Sequence, residues 1–219
     1  MTSRACRAEL GDEFRLRISI QRRLPSLRAF ALAFLILGFS VGGAAAQSKP
    51  PAKPHAHVYL IRGFMNVFSL GMDEIAAKLQ QQGIHATVHN HLAWSLIADE
   101  AEAEYKSGQY RTIILVGHSA GADAVASICA QLGRDGIPVR LAIGLDPGLS
   151  RMPASGHVAR YINYYVSGGL GHTIGKSPQF RGHFSNVDVA NVPGVGHFNI
   201  DKNKTMEARV IADIHAALR

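Results

Sequence analysis

From His57 onward, short apolar runs alternate with stretches whose apolar positions recur every three or four residues. Val58 to Arg62, Ala86 to Asn90, Thr112 to Gly117, Val139 to Leu145 and Arg160 to Val166 read as strands. Between them Leu70 to Gln82, Trp94 to Ser107 and Ala120 to Gly133 read as helices, and a last helix runs from Lys204 to Leu218. Regular alternation of this kind predicts an α/β fold, a doubly wound and mostly parallel sheet with helices on both faces. The run Ile113-Ile114-Leu115-Val116 is apolar at successive positions, as a strand covered on both sides requires. Gly83 and Gly133 are expected to stop their helices, and Asp73 and Glu74 fall in a first turn, where the helix dipole favours acids. After Asp146 the pattern loosens into loops containing Gly168, Gly169, Gly171 and Gly175, and the stretch from Gly168 to Gly182 is a possible lid. No internal repeat is present.

The first 46 residues differ from the rest. Arg22, Arg23 and Arg28 precede an apolar stretch, Ala29 to Phe39, which small residues follow as far as Ala44-Ala45-Ala46-Gln47. This is the layout of a signal peptide, and cleavage is expected after Ala46, giving a periplasmic or secreted protein without stable membrane insertion. An uncleaved inner-membrane anchor is the alternative reading, because the region before Arg22 is long for a signal peptide. Residues 47–56, with Pro50, Pro51 and Pro54, read as a linker, and 57–219 as one domain. The segment also explains the basic net charge of +7, since it holds seven Arg against three acids and leaves 16 basic and 13 acidic residues behind it. A remainder near neutrality excludes an obvious nucleic-acid surface. Cys6 leaves with the signal; Cys129, inside an apolar helix pattern, reads as a buried thiol with no disulfide partner.

The chemistry centres on Gly117-His118-Ser119-Ala120-Gly121, a G-x-S-x-G motif placed where a buried strand ends and a helix begins. On that sharp turn side chains at 117 and 121 would collide with neighbouring elements. The serine hydroxyl is held at the carboxyl edge of the sheet, next to amide donors at a helix start.

In this motif and its setting, the chain resembles the α/β-hydrolase superfamily, in particular its small lipase, esterase and thioesterase members, over about residues 57 to 219. The resemblance implies the chain order nucleophile, acid, histidine. His197, in Pro193-Gly194-Val195-Gly196-His197-Phe198 before the last helix, looks like the family's histidine loop; His172 and His183 are rival bases. For the acid, Asp146 at the end of a strand resembles the placement in thioesterase-like members. Asp188 is the main alternative, while Asp123 reads as a helix residue and Asp201 as a cap of the last helix. The implied oxyanion hole combines the N–H of Ala120 with that of Phe64, or of Met65, in Arg62-Gly63-Phe64-Met65-Asn66, where Arg62 stands in place of the family's histidine. The implied activity is metal-free and cofactor-free hydrolysis of a small-molecule ester or thioester through an acyl-enzyme on Ser119. A catalytically inactive, hydrolase-like binding protein of the cell envelope is the competing class.

Other signals carry less. His85, His89 and His91 share one strand parity, but side chains along one strand point in parallel and do not converge on a metal. No nucleotide-binding glycine loop follows the first strand. Phe64, Met65, Phe68 and Trp94 read equally as pocket lining or as core.

Overall fold

In the computed structural model the described residues are 55–64, 69–148 and 150–219. The predicted signal peptide, most of the linker, Met65 and Phe68 therefore lie outside them. The elements are β1 (Ala56–Arg62), α1 (Gly71–Gln81), β2 (His85–Asn90), a short 3-10 turn (His91–Ala93), α2 (Trp94–Ser107), β3 (Thr112–His118), α3 (Ala120–Arg134), β4 (Val139–Leu145), β5 (Val158–Tyr165), β6 (His183–Asp188) and α4 (Lys204–Ala217). All six strands are parallel, in the order β2-β1-β3-β4-β5-β6.

Period-two alternation along the central strands divides the core into two layers. Val58, Leu60, Ile114, Val116, Leu141 and Ile143 point to one face, where they meet Met72, Ile75 and Leu79 of α1 and Met206, Val210 and Ile214 of α4. Tyr59, Ile61, Ile113 and Leu115 point to the other, against Ile97 and Ala101 of α2 and Val125, Ile128 and Leu132 of α3. The helix spacings i, i+3, i+4 and i+7 supply each apolar stripe. Cys129 is buried in the second layer, where desolvation pushes its thiol pKa up and removes nucleophilic character.

From β1 the chain turns outward through α1, on the first face, to edge strand β2. It then returns through α2 on the opposite face to β3, on the other side of β1. The chain thus diverges at the carboxyl ends of β1 and β3, and that divergence opens a crevice at the switch point of the sheet, where doubly wound folds place their ligands.

The sequence expectations need correction at four places. β6, His183-Phe-Ser-Asn-Val-Asp188, lacks an apolar run because it is the exposed edge strand, so its side chains carry no two-sided burial signal. Gly133 does not end α3: it lies inside the helix, where a Cβ would strike Gly156, and the chain reverses at Gly136, with φ +72°. Asp201 is not the cap of α4; Asn203 is, its side chain accepting from the amides of Thr205 and Met206. The domain also begins slightly earlier than residue 57, with Ala56 in β1 and the His55 carbonyl accepting from the Arg111 amide at 2.8 Å.

Candidate active site

Ser119 occupies the turn between β3 and α3 with φ 54° and ψ −122°, a conformation that non-glycine residues rarely hold and that costs about 1–3 kcal/mol. Close packing enforces it. A Cβ on Gly117 would be driven into the Gly121 carbonyl, and one on Gly121 into the carbonyl of Ile61 on β1. The Ser119 amide is bonded to the Leu145 carbonyl at 2.9 Å, which ties the turn to the end of β4.

Asp146 follows Leu145, also with positive φ (49°), and is fully buried. Its Oδ1 accepts from the Val166 amide and its Oδ2 from the Nδ1 of His197, each at 2.7 Å. The Nε2 of His197 lies 3.0 Å from the Ser119 hydroxyl. With Nδ1–H donating to the carboxylate, Nε2 is left as the acceptor for the serine proton. The loop bearing His197 is held by side-chain amides: Asn199 accepts from the Gly196 amide at 2.7 Å and donates to the Gly194 carbonyl at 2.8 Å, while Asn203 reaches the Pro193 carbonyl at 3.1 Å.

The alternatives weighed in the sequence are engaged elsewhere. Asp188 accepts from the amides of Ser167 and Ala190, and its exposed carboxyl is held below the usual range first by the Ser167 side chain and then by those amides. His183 starts β6 and so belongs to the opposite edge of the sheet. His172 presents its ring nitrogens to the carbonyls of Gly148 and Thr173, at 2.7 and 2.9 Å. Asp123 lies in the first turn of α3, where burial raises its pKa against opposing hydrogen bonds from Ser150 and Gly148.

The amide of Ala120 opens α3, where N–H groups have no acceptor within the helix. Gly63 packs so tightly on the turn that an added Cβ would stand 3.0 Å from that of Ser119. Phe64, next in the chain, is 67% exposed and lines a cavity of about 210 Å³ with Ser119, His197 and Phe198. Trp94 lines a neighbouring cavity of about 310 Å³ beside Ala120, so the two described aromatics of the group that read equally as pocket or core lie at this edge. Arg62 turns away to pair with Asp73 on α1.

Sequence reasoning missed the polar layer beneath these residues. His118 is buried; its Nε2 lies 2.7 Å from the His197 carbonyl and its Nδ1 2.8 Å from the Ser69 hydroxyl, which also accepts from the Gly63 amide at 2.8 Å. One donor assignment satisfies every atom: Nε2–H donates to the carbonyl, and the serine O–H donates to Nδ1. Desolvation lowers the His118 pKa and keeps the ring neutral in that tautomer. Asp201, equally buried, accepts from the Gly71 amide at 2.9 Å, and burial raises its pKa. Gly63 and Gly71 flank the β1–α1 loop, so both of its ends are fastened. A histidine between Gly117 and Ser119 was the one available signal for this layer, since side chains in such a turn point in fixed directions.

His89 joins a chain with Thr87, His57 and Glu104 in steps of 2.7 Å, and Tyr59 donates to the same Glu104 oxygen at 2.5 Å. Among the described residues, the one grouping with metal-ligand geometry is His57, Glu100 and Glu104. Its His57 and Glu104 are already satisfied within that hydrogen-bond chain.

No protein-family model matches the sequence, and no curated protein does. Several solved structures resemble it in fold. Est1E from Butyrivibrio proteoclasticus is 11% identical with a TM-score of 0.51, over 78% of this chain and 90% of its own. A type II thioesterase from the yersiniabactin biosynthetic pathway is 11% identical with a TM-score of 0.50, over 77% and 96%. A protein from Xanthomonas campestris described as a putative hydrolase of the α/β superfamily is 15% identical with a TM-score of 0.47, over 74% and 98%. With Est1E and the thioesterase the chain shares its fold, a parallel α/β sheet flanked by helices.

Proposed function

We propose that this chain, with its α/β-hydrolase fold, is a serine hydrolase of carboxylic esters or thioesters. One observation carries the reading: the Ser119 hydroxyl, the His197 imidazole and the Asp146 carboxylate form a continuous relay with separations of 3.0 and 2.7 Å. In the reaction, Ser119 attacks the acyl carbonyl as its proton passes to His197 Nε2, and the imidazolium then protonates the leaving alcohol or thiol. Water, deprotonated by the same nitrogen, releases the acyl group from Ser119. Asp146 keeps His197 in the required tautomer and stabilises its protonated form. The amides of Ala120 and Phe64 bind the oxyanion of each tetrahedral intermediate, a role served by main-chain donors that need no reorganisation. The likeness to a thioesterase of the same fold is in keeping with this substrate class. The signal-like N-terminus supports action outside the cytoplasm, in the periplasm or the medium.

A chain-length panel of nitrophenyl esters and acyl thioesters, run on wild type and Ser119→Ala, tests the proposal. Turnover in the wild type together with a stoichiometric fluorophosphonate adduct on Ser119 is the expected result. Full turnover in the alanine variant would remove Ser119 from the mechanism, and a wild type inert to both substrates and probe would leave a binding protein.

A further inference from the structure

A cavity of about 580 Å³ opens at the opposite edge of the sheet, at the amino ends of β3, β4 and β5. Ser119 and Asp146 close two of these same strands at their carboxyl ends. A seven-residue strand rising about 3.3 Å per residue separates the two edges by roughly 20 Å, so a ligand here does not touch the reacting atoms.

Arg111, Arg140 and Arg181 line this cavity with His157 and Gln179, and no Asp or Glu does. A neighbouring cavity of about 370 Å³ shares His157 and Gln179 and adds Arg134. Among the described residues, none of these four arginines forms a salt bridge, whereas Arg62 and Arg160 each pair with an aspartate. The guanidinium groups of Arg111, Arg140 and Arg181 are held by neutral contacts that leave donors over. Arg140 uses Nε on the Ala217 carbonyl at 3.0 Å, Arg181 uses Nη1 on the carbonyls of Pro178 and Phe180, and Arg111 stacks its guanidinium 5.7 Å from the Tyr105 ring centre. Gly182 presses onto the Val158 carbonyl, where a Cβ could not fit, and this contact brings Arg181 to the cavity mouth. Helix carboxyl ends draw cations, and Arg140 answers one, but a single N–H suffices for that. The three forks line one hollow that no carboxylate lines, and planar five-donor forks match tetrahedral oxyanions.

We infer that this cavity is a binding site for a ligand bearing a phosphate group, with Arg111, Arg140 and Arg181 as its anion-recognising residues. The volume lies within the range of small-molecule sites. The phosphate arrives either on a free small molecule or on an anionic lipid headgroup, and the chemistry recognised is the same.

Calorimetric titration of the purified protein with pyrophosphate at physiological ionic strength, and co-flotation with phosphatidylcholine vesicles with and without phosphatidic acid, test the site and separate the sources. Saturable pyrophosphate binding identifies a free ligand, and retention only by phosphatidic acid vesicles identifies a headgroup. In either arm Arg140→Gln and Arg181→Gln should each weaken binding by about tenfold or more, with ester turnover unchanged. Absence of binding to both probes, or binding that both glutamine variants retain in full, would overturn the inference.

Discussion

His118 donates from Nε2 to the main-chain carbonyl of His197 at 2.7 Å, so the residue before Ser119 holds the backbone of the proposed base. Through Ser69 the same ring also fixes the Gly63 amide, and hence the segment that presents the Phe64 N–H. One buried imidazole therefore sets two parts of the proposed catalytic geometry. Replacing it with alanine should lower kcat by about 10- to 100-fold with KM changed little, because misplacement by about 1 Å suffices for such a loss. Glutamine keeps a donor near the Nε2 position and asparagine an acceptor near Nδ1, so each should restore part of the rate. Steady-state kinetics on variants whose folding is verified by circular dichroism check this, and unchanged kcat in all three would assign His118 a packing role only.

Asp146→Asn should reduce kcat by about 10³- to 10⁴-fold while leaving KM near its original value, since an amide no longer enforces Nδ1–H on His197. Asp188→Asn should leave turnover within about twofold, because that carboxylate caps loop amides at the exposed edge. Comparing the two variants on one ester decides between the carboxylates.

At the turn between β3 and α3, the direction of glycine effects should reverse. Ser119→Gly removes the Cβ from a strained φ of 54° and should be more stable than Ser119→Ala by about 1 kcal/mol, though both are inactive. Gly117→Ala, which forces a methyl into the Gly121 carbonyl, should lose ~3 kcal/mol or more. Urea midpoints of the three variants measure both effects.

Burial pushes the His57 pKa down from 6.5 to about 4, against the opposing pull of Glu104. The unfolded chain therefore binds a proton that the folded chain refuses between those values, and stability falls as pH drops from 6.5 towards 4. The loss reaches at most about 3 kcal/mol. His57→Gln, which cannot titrate, should flatten that part of the pH profile of thermal unfolding, and an identical slope in wild type and variant would refute the assignment.

Legibility from sequence followed burial. β1, β3 and β4 announce themselves because both faces are covered and nearly every position is apolar, and Gly117 and Gly121 mark a turn that only glycine permits. β6 was hidden because an edge strand satisfies its backbone on one side and keeps polar side chains in water. Asp146 was legible as the last residue of an apolar run, and the structure brings it to His197 across 51 positions. Ser69 and Asp201 were not, since their partners lie 49 and 130 positions away and no local period records such a contact. The arginines of the far edge were equally silent: four scattered residues become a cluster only when β3, β4 and β5 lie side by side.

Ser119 and Asp146 cap neighbouring strands, and the ladder between them pairs His118 with Leu145. A slip of one residue along that ladder would reverse every side chain of β4 and carry the acid away from the imidazole. On the proposed mechanism competence is gained at the moment the two strands lock, and a chain refolding from urea should regain turnover in step with amide protection of β3 and β4, with no active species preceding it.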